Sequence, residues 1–103
     1  MRPSILWTPL AQQDILDIYV TIGLDNPSAA ERVFTAIEDH ISLLIKQPRL
    51  GTRRPDIAPS TRILIESPYL VLYETHPNTD RGLIDSIEIV RIVHGHRNLR
   101  HIL

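Results

Sequence analysis

The chain has 103 residues, 43% apolar and 22% charged, a composition that suits one globular domain over residues 1–103 and excludes a disordered chain. A formal net charge of −1 excludes bulk attraction to nucleic acid, and the lack of cysteine excludes disulfides and thiolate chemistry. No apolar run approaches the ~20 residues of a membrane helix, and Met1 to Trp7 carries no signal-peptide core, so a cytoplasmic protein without a membrane partner is expected.

In chain order, Ser4 to Trp7 is a short apolar run and reads as a first strand. Thr8-Pro9 then offers a hydroxyl for the N-cap and a proline for the first helical turn. Ala11, Ile15, Ile18, Tyr19 and Ile22 follow at helical spacing, with Gly23 as the expected stop. Asn26-Pro27 repeats the capping device and opens a longer helix. Its apolar stripe is Ala30, Val33, Phe34, Ile37, Ile41, Leu44 and Ile45, and Pro48 ends it. Two amphipathic helices joined by a short Gly-Leu-Asp-Asn linker read as an antiparallel hairpin.

Residues 48–59 read as a loop from their prolines and Gly51. Thr61–Glu66 reads as a strand, with Ile63 and Ile65 on one face and Arg62, Leu64 and Glu66 on the other. Ser67-Pro68 is a tight connection to a second strand, Tyr69–Tyr73, whose two tyrosines share a core-facing side. Residues 76–82 form a loop of turn-forming residues. From Leu83 the chain enters a long last strand that stops at Gly95. Its alternation puts Ile87, Ile89 and Val93 on one face and Val90 and Ile92 on the other, so it belongs inside a sheet. The expected fold is α+β: an N-terminal strand and an antiparallel helical hairpin packed on an antiparallel sheet.

Charge is uneven along this plan. Residues 1–48 carry three basic and six acidic side chains, whereas residues 49–103 carry eight basic and six acidic, and ten of the eleven basic residues are arginine. Past Glu88 there is no acid, while Arg91, His94, His96, Arg97, Arg100 and His101 remain. A fixed strand followed by a cationic tail is the expected working face. His94, His96 and His101 offer a ligand set that zinc accepts, but with no acidic or cysteine ligand nearby no metal or cofactor is expected. His94 or His96 beside Arg62, Arg91 and Arg97 could cleave RNA, with histidine moving a proton and arginine stabilising the charged transition state. The same arginines could simply grip an acidic protein. Composition and spacing leave both readings open.

In their order, several short patterns resemble the ParE branch of the RelE/ParE toxins. They are Ala11-x-x-Asp14-Ile-x-x-Ile18-Tyr19, a long helix ending in Leu44-Ile-x-x-Pro48-x-x-Gly51, Arg62, Tyr69-x-Val-x-Tyr73, and Ile89-x-Arg-Ile-Val-His-Gly-His-Arg97. The resemblance covers nearly the whole chain and implies a toxin of a type II toxin–antitoxin module. RelE-type relatives cut mRNA on the ribosome, using a basic residue just after the aromatic that opens the third strand and a C-terminal tyrosine or histidine. Here that position is Leu70, and the chain ends at Leu103 without a tail tyrosine. ParE-type relatives lack the nuclease set and poison DNA gyrase. The resemblance therefore implies no catalytic residue, no direct nucleic-acid binding, gyrase as target, and a ParD-like antitoxin as partner. By that resemblance the tail from His94 to His101 is the candidate contact, and Arg62, Arg91, His94, His96, Arg97 and Arg100 are the expected partner- or target-binding residues. A ribosome-dependent endonuclease, and a partner-binding relic without toxicity, are the alternatives.

Overall fold

The computed structural model describes residues 2–95, 99, 102 and 103. Its elements run β1 (Ser4–Trp7), α1 (Pro9–Asp25), α2 (Pro27–Ser42), a 3₁₀ turn (Leu43–Ile45), β2 (Thr52–Arg53), β3 (Arg62–Glu66), β4 (Tyr69–His76) and β5 (Ser86–His94). The strands form one sheet in the order β1-β5-β4-β3-β2. Four of the five are joined by antiparallel pairings: β3, β4 and β5 as expected, and β2 from within the segment read as a loop. β1 differs: it lies parallel to β5, with Ile5 beside Ile87 and Trp7 beside Ile89. The sheet is therefore mixed. An apolar β5 needs a neighbour on each side. β4 takes one side through the 77–85 connection and β1 fills the other, in a direction that hydropathy does not encode.

Both capping devices work as expected. Thr8 Oγ1 accepts from Ala11 N at 3.0 Å and Asn26 Oδ1 accepts from Ala29 N at 3.0 Å. The linker between the helices is Asn26 alone, which ends α1 by donating its N–H to Ile22 O and starts α2 with its side chain. Gly23 does not stop α1, which runs on to Asp25. The terminator is Pro27, whose ring disfavours a helical residue before it.

The helical hairpin covers one face of the sheet. Ala11, Ile15, Ile37, Ile41 and Leu44 pack there against Leu64, Val71, Tyr73, Ile87, Ile89 and Ile92. A smaller cluster of Ile63, Leu72 and Val93 occupies the other face, with Ile57, Leu70, Leu99 and Ile102 against it. Val93 was expected beside Ile89 and Ile92 opposite; the structure reverses both. The register passes from Tyr73–Ile89 to Leu72–Arg91, leaving Val90 as an extra residue in β5. Such a bulge inverts the facing of everything beyond it. Thr8 holds it from the neighbouring turn, with its N–H on Ile89 O at 3.0 Å and its hydroxyl on Val90 O at 2.8 Å.

Candidate functional site

The far end of β5 carries the described part of the expected working face. β1 ends opposite Ile89, so among the described residues the edge of β5 beyond the bulge has no strand neighbour. The first turns of α1 fill that gap. Asp14 reaches across and accepts from Ile92 N at 2.9 Å, taking the place of a strand carbonyl. The same carboxylate receives a forked contact from Arg91, Nε at 2.7 Å and a terminal nitrogen at 3.0 Å. The two side chains are only 15% and 13% exposed. Asp14 raises the pKa of Arg91 through this hydrogen bond, against the opposing effect of burial. Arg91 thus clamps α1 to β5.

His94 closes β5 opposite Tyr69, the rings meeting edge to face at 5.7 Å. Gly95 N then donates to Pro68 O at 2.8 Å, fixing where the chain leaves the sheet. His96, Arg97 and Arg100 lie outside the described residues, as does His101.

Arg62 belongs to a different flank. It sits at the start of β3, buried, with a terminal nitrogen donating to Gly51 O at 2.9 Å. That segment is built around Tyr73, whose hydroxyl accepts from Gly51 N at 2.7 Å and donates to Pro48 O at 3.0 Å. Burial raises the pKa of this phenol, with the Gly51 hydrogen bond and Arg62 acting in opposition. Arg62, Arg91 and His94 therefore form no single surface: Arg91 turns to α1, Arg62 to the 48–51 segment, and His94 to Tyr69.

Two constellations escaped the sequence reading. Arg53 and Arg62 meet Asp80 on the 77–85 connection, and Arg49 donates to the neighbouring Thr79 O. Glu74, His76 and Glu88 lie on the sheet face away from the helices, each offering a ligand atom within 4.8 Å of the others. Glu74 and Glu88 are direct cross-strand partners, and His76 Nε2 meets Glu88 Oε1 at 3.1 Å. The alternation Tyr73-Glu74-Thr75-His76, with Tyr73 and Thr75 buried, was the available signal for the second set.

Residues 5–99 match the family described as ParE toxin of type II toxin-antitoxin system, parDE. The chain belongs to the ParE toxin family. A curated relative from Sinorhizobium fredii (strain NBRC 101917 / NGR234), named "Putative toxin Y4kP", is 30% identical over 104 residues, spanning 99% of this chain and 98% of the relative. Among solved structures, "Chromosomal ParDE TA system from P. aeruginosa" superimposes with a TM-score of 0.71 at 25% identity, covering 89% of this chain and 95% of that one. The ParE assignment gives the local packing its meaning. Leu70, at the position where RelE-type relatives place a basic group, lies half-buried against the cluster of Ile63, Leu72 and Val93. Among the described residues no helix of this ParE chain is long and apolar enough to cross a membrane.

Proposed function

We propose that this ParE-family chain is a toxin that acts by binding DNA gyrase, without breaking a covalent bond itself, and that a ParD-like antitoxin neutralises it. The observation that carries the reading is the use made of the sheet's polar groups. Leu70 is packed as an apolar residue, and Arg91 is consumed by Asp14. A nuclease needs several such groups acting together, because members of a catalytic unit are strongly non-additive. The contacts left for the target are His94, His96, Arg97 and Arg100, launched from the end of β5, with Arg91 holding the launching strand in place. Purified chain added to gyrase is expected to inhibit supercoiling, and Arg97→Ala to relieve that inhibition. Cleaved message on ribosomes with normal supercoiling would overturn the reading in favour of a RelE-type endonuclease, and neither effect would leave the relic.

The helical hairpin offers the antitoxin a seat. α1 keeps a second apolar stripe facing outward, with Leu16, Val20 and Leu24 exposed at four-residue spacing. Beside it Ile15, Leu16, Tyr19, Glu31 and Phe34 line a groove of about 430 Å³ between the helices. Tyr19 donates to Glu31 across the groove and meets Phe34 edge to face at 5.6 Å. An apolar peptide segment of the antitoxin, ordered on docking, would cover this stripe. Leu16→Glu is expected to weaken the complex with the antitoxin by about 30-fold or more, as losing an interface anchor does. Calorimetric titration of the two purified proteins measures it; an unchanged affinity would move the seat elsewhere.

A further inference from the structure

The arginine cluster at the other flank of the sheet has no part in either contact above. Arg53 gives Nε to Asp80 Oδ1 at 2.9 Å and a terminal nitrogen to Asn78 Oδ1 at 2.8 Å. A terminal nitrogen of Arg62 lies 3.5 Å from the same Asp80 oxygen. Arg49 holds the same connection through Thr79 O at 2.9 Å and Gly82 O at 3.0 Å. Two guanidinium groups thus meet one carboxylate, and a third holds the backbone on either side of it.

The members differ in how firmly they are held. The Arg62 side chain is 7% exposed, whereas Asp80 is 77% exposed on its connection. Among the described residues, Arg62 Nε and the neighbouring Thr61 hydroxyl are buried polar atoms without a hydrogen-bond partner. A buried cation with an unused donor beside two further cations is costly unless an anion completes it. Burial and then Arg53 lower the pKa of Arg62, while Arg53 above all keeps the Asp80 carboxyl ionised. Among the described residues, Asp80 is the one carboxylate in the cradle and its most solvent-exposed member, and so the easiest to displace.

We propose that Arg49, Arg53 and Arg62 form a phosphate-binding site, for which the Asp80 carboxylate is the protein's own stand-in. Guanidinium groups recognise phosphate oxygens by paired hydrogen bonds, and a phosphate brings more acceptors and more charge than one carboxylate. The phosphate is either free or part of a polynucleotide backbone. The site is independent of the gyrase reading, since no residue of the β5 terminus enters it.

Asp80→Asn removes the competing charge and keeps the side chain's size. Isothermal titration with inorganic phosphate, at ionic strength matched with chloride, is expected to show about tenfold tighter binding to Asp80→Asn than to the unaltered chain. Arg53→Gln is expected to lose the binding. A short single-stranded oligonucleotide, titrated against the same proteins, distinguishes the sources: tighter binding than inorganic phosphate, lost in Arg53→Gln, assigns a backbone phosphate, and weaker or no binding assigns a free one. Absence of Arg53-dependent binding by both probes overturns the site, as does phosphate binding that Asp80→Asn leaves unchanged. If Arg53→Gln fails to fold, the Asp80→Asn comparison decides alone.

Discussion

Gly51→Ala is expected to destabilise the fold by about 3 kcal/mol or more, lowering the melting temperature by roughly 12–24 °C for a domain of this size. The reason is space rather than backbone conformation. A Cβ on Gly51 would lie 2.6 Å from Tyr73 Cε1, 2.7 Å from Ile63 O and 2.8 Å from the Tyr73 hydroxyl. Neither neighbour is free to yield. Tyr73 is fully buried in the main core, and its hydroxyl is held at both ends, by Gly51 N and Pro48 O. Ile63 O belongs to the backbone of β3, which is paired with β4 on one side and β2 on the other. Relief must come from moving the 48–51 segment outward, which breaks the Gly51 N–H bond and takes the Gly51 carbonyl away from Arg62. Thermal unfolding followed by circular dichroism tests this. A melting temperature within about 3 °C of the unaltered chain would show that the segment shifts at little cost.

The contrast between what the residues disclosed and what they concealed follows the range of the interactions. Thr8-Pro9 and Asn26-Pro27 act on backbone groups three residues away, so both helix starts were readable. The stripe from Ala30 to Leu44 was readable because a single periodicity carries it. The bulge at Val90 was not, since its partner Thr8 is 82 residues distant and leaves no mark on the local alternation. Missing it placed Val93 on the helix-covered face. The partners of Arg62 and Arg91 were hidden for the same reason: a charge is visible in a sequence, but its counterion is not. The sequence separation between Asp14 and Arg91 is 77 residues. Asp14 nevertheless stood among the residues by which the chain resembles its family. β2, two residues long within a proline-rich loop, is too short for any periodicity to show.

Asp14→Ala is expected to be the most damaging single change near the end of β5. It removes three hydrogen bonds at once, leaving the Arg91 guanidinium without its anion and Ile92 N without an acceptor. Breaking a fully buried ion pair from one side costs about 3–5 kcal/mol; this pair retains slight exposure, so about 2–4 kcal/mol is expected. Most of that penalty comes from the stranded charge rather than from the attraction lost. Asp14→Ala combined with Arg91→Met should therefore recover a good part of the stability, because no buried charge then remains. Urea denaturation of the single and double variants separates the two contributions. The change also bears on function, since Ile92 lies three residues before Gly95, where the chain leaves the sheet. Amide exchange at Ile92 is expected to accelerate in Asp14→Ala at a temperature where the domain remains folded. Gyrase inhibition measured at that temperature should fall with it if the β5 terminus must be held to present the tail. An unchanged urea midpoint in Asp14→Ala would show that the edge of β5 is secured by the neighbouring core alone.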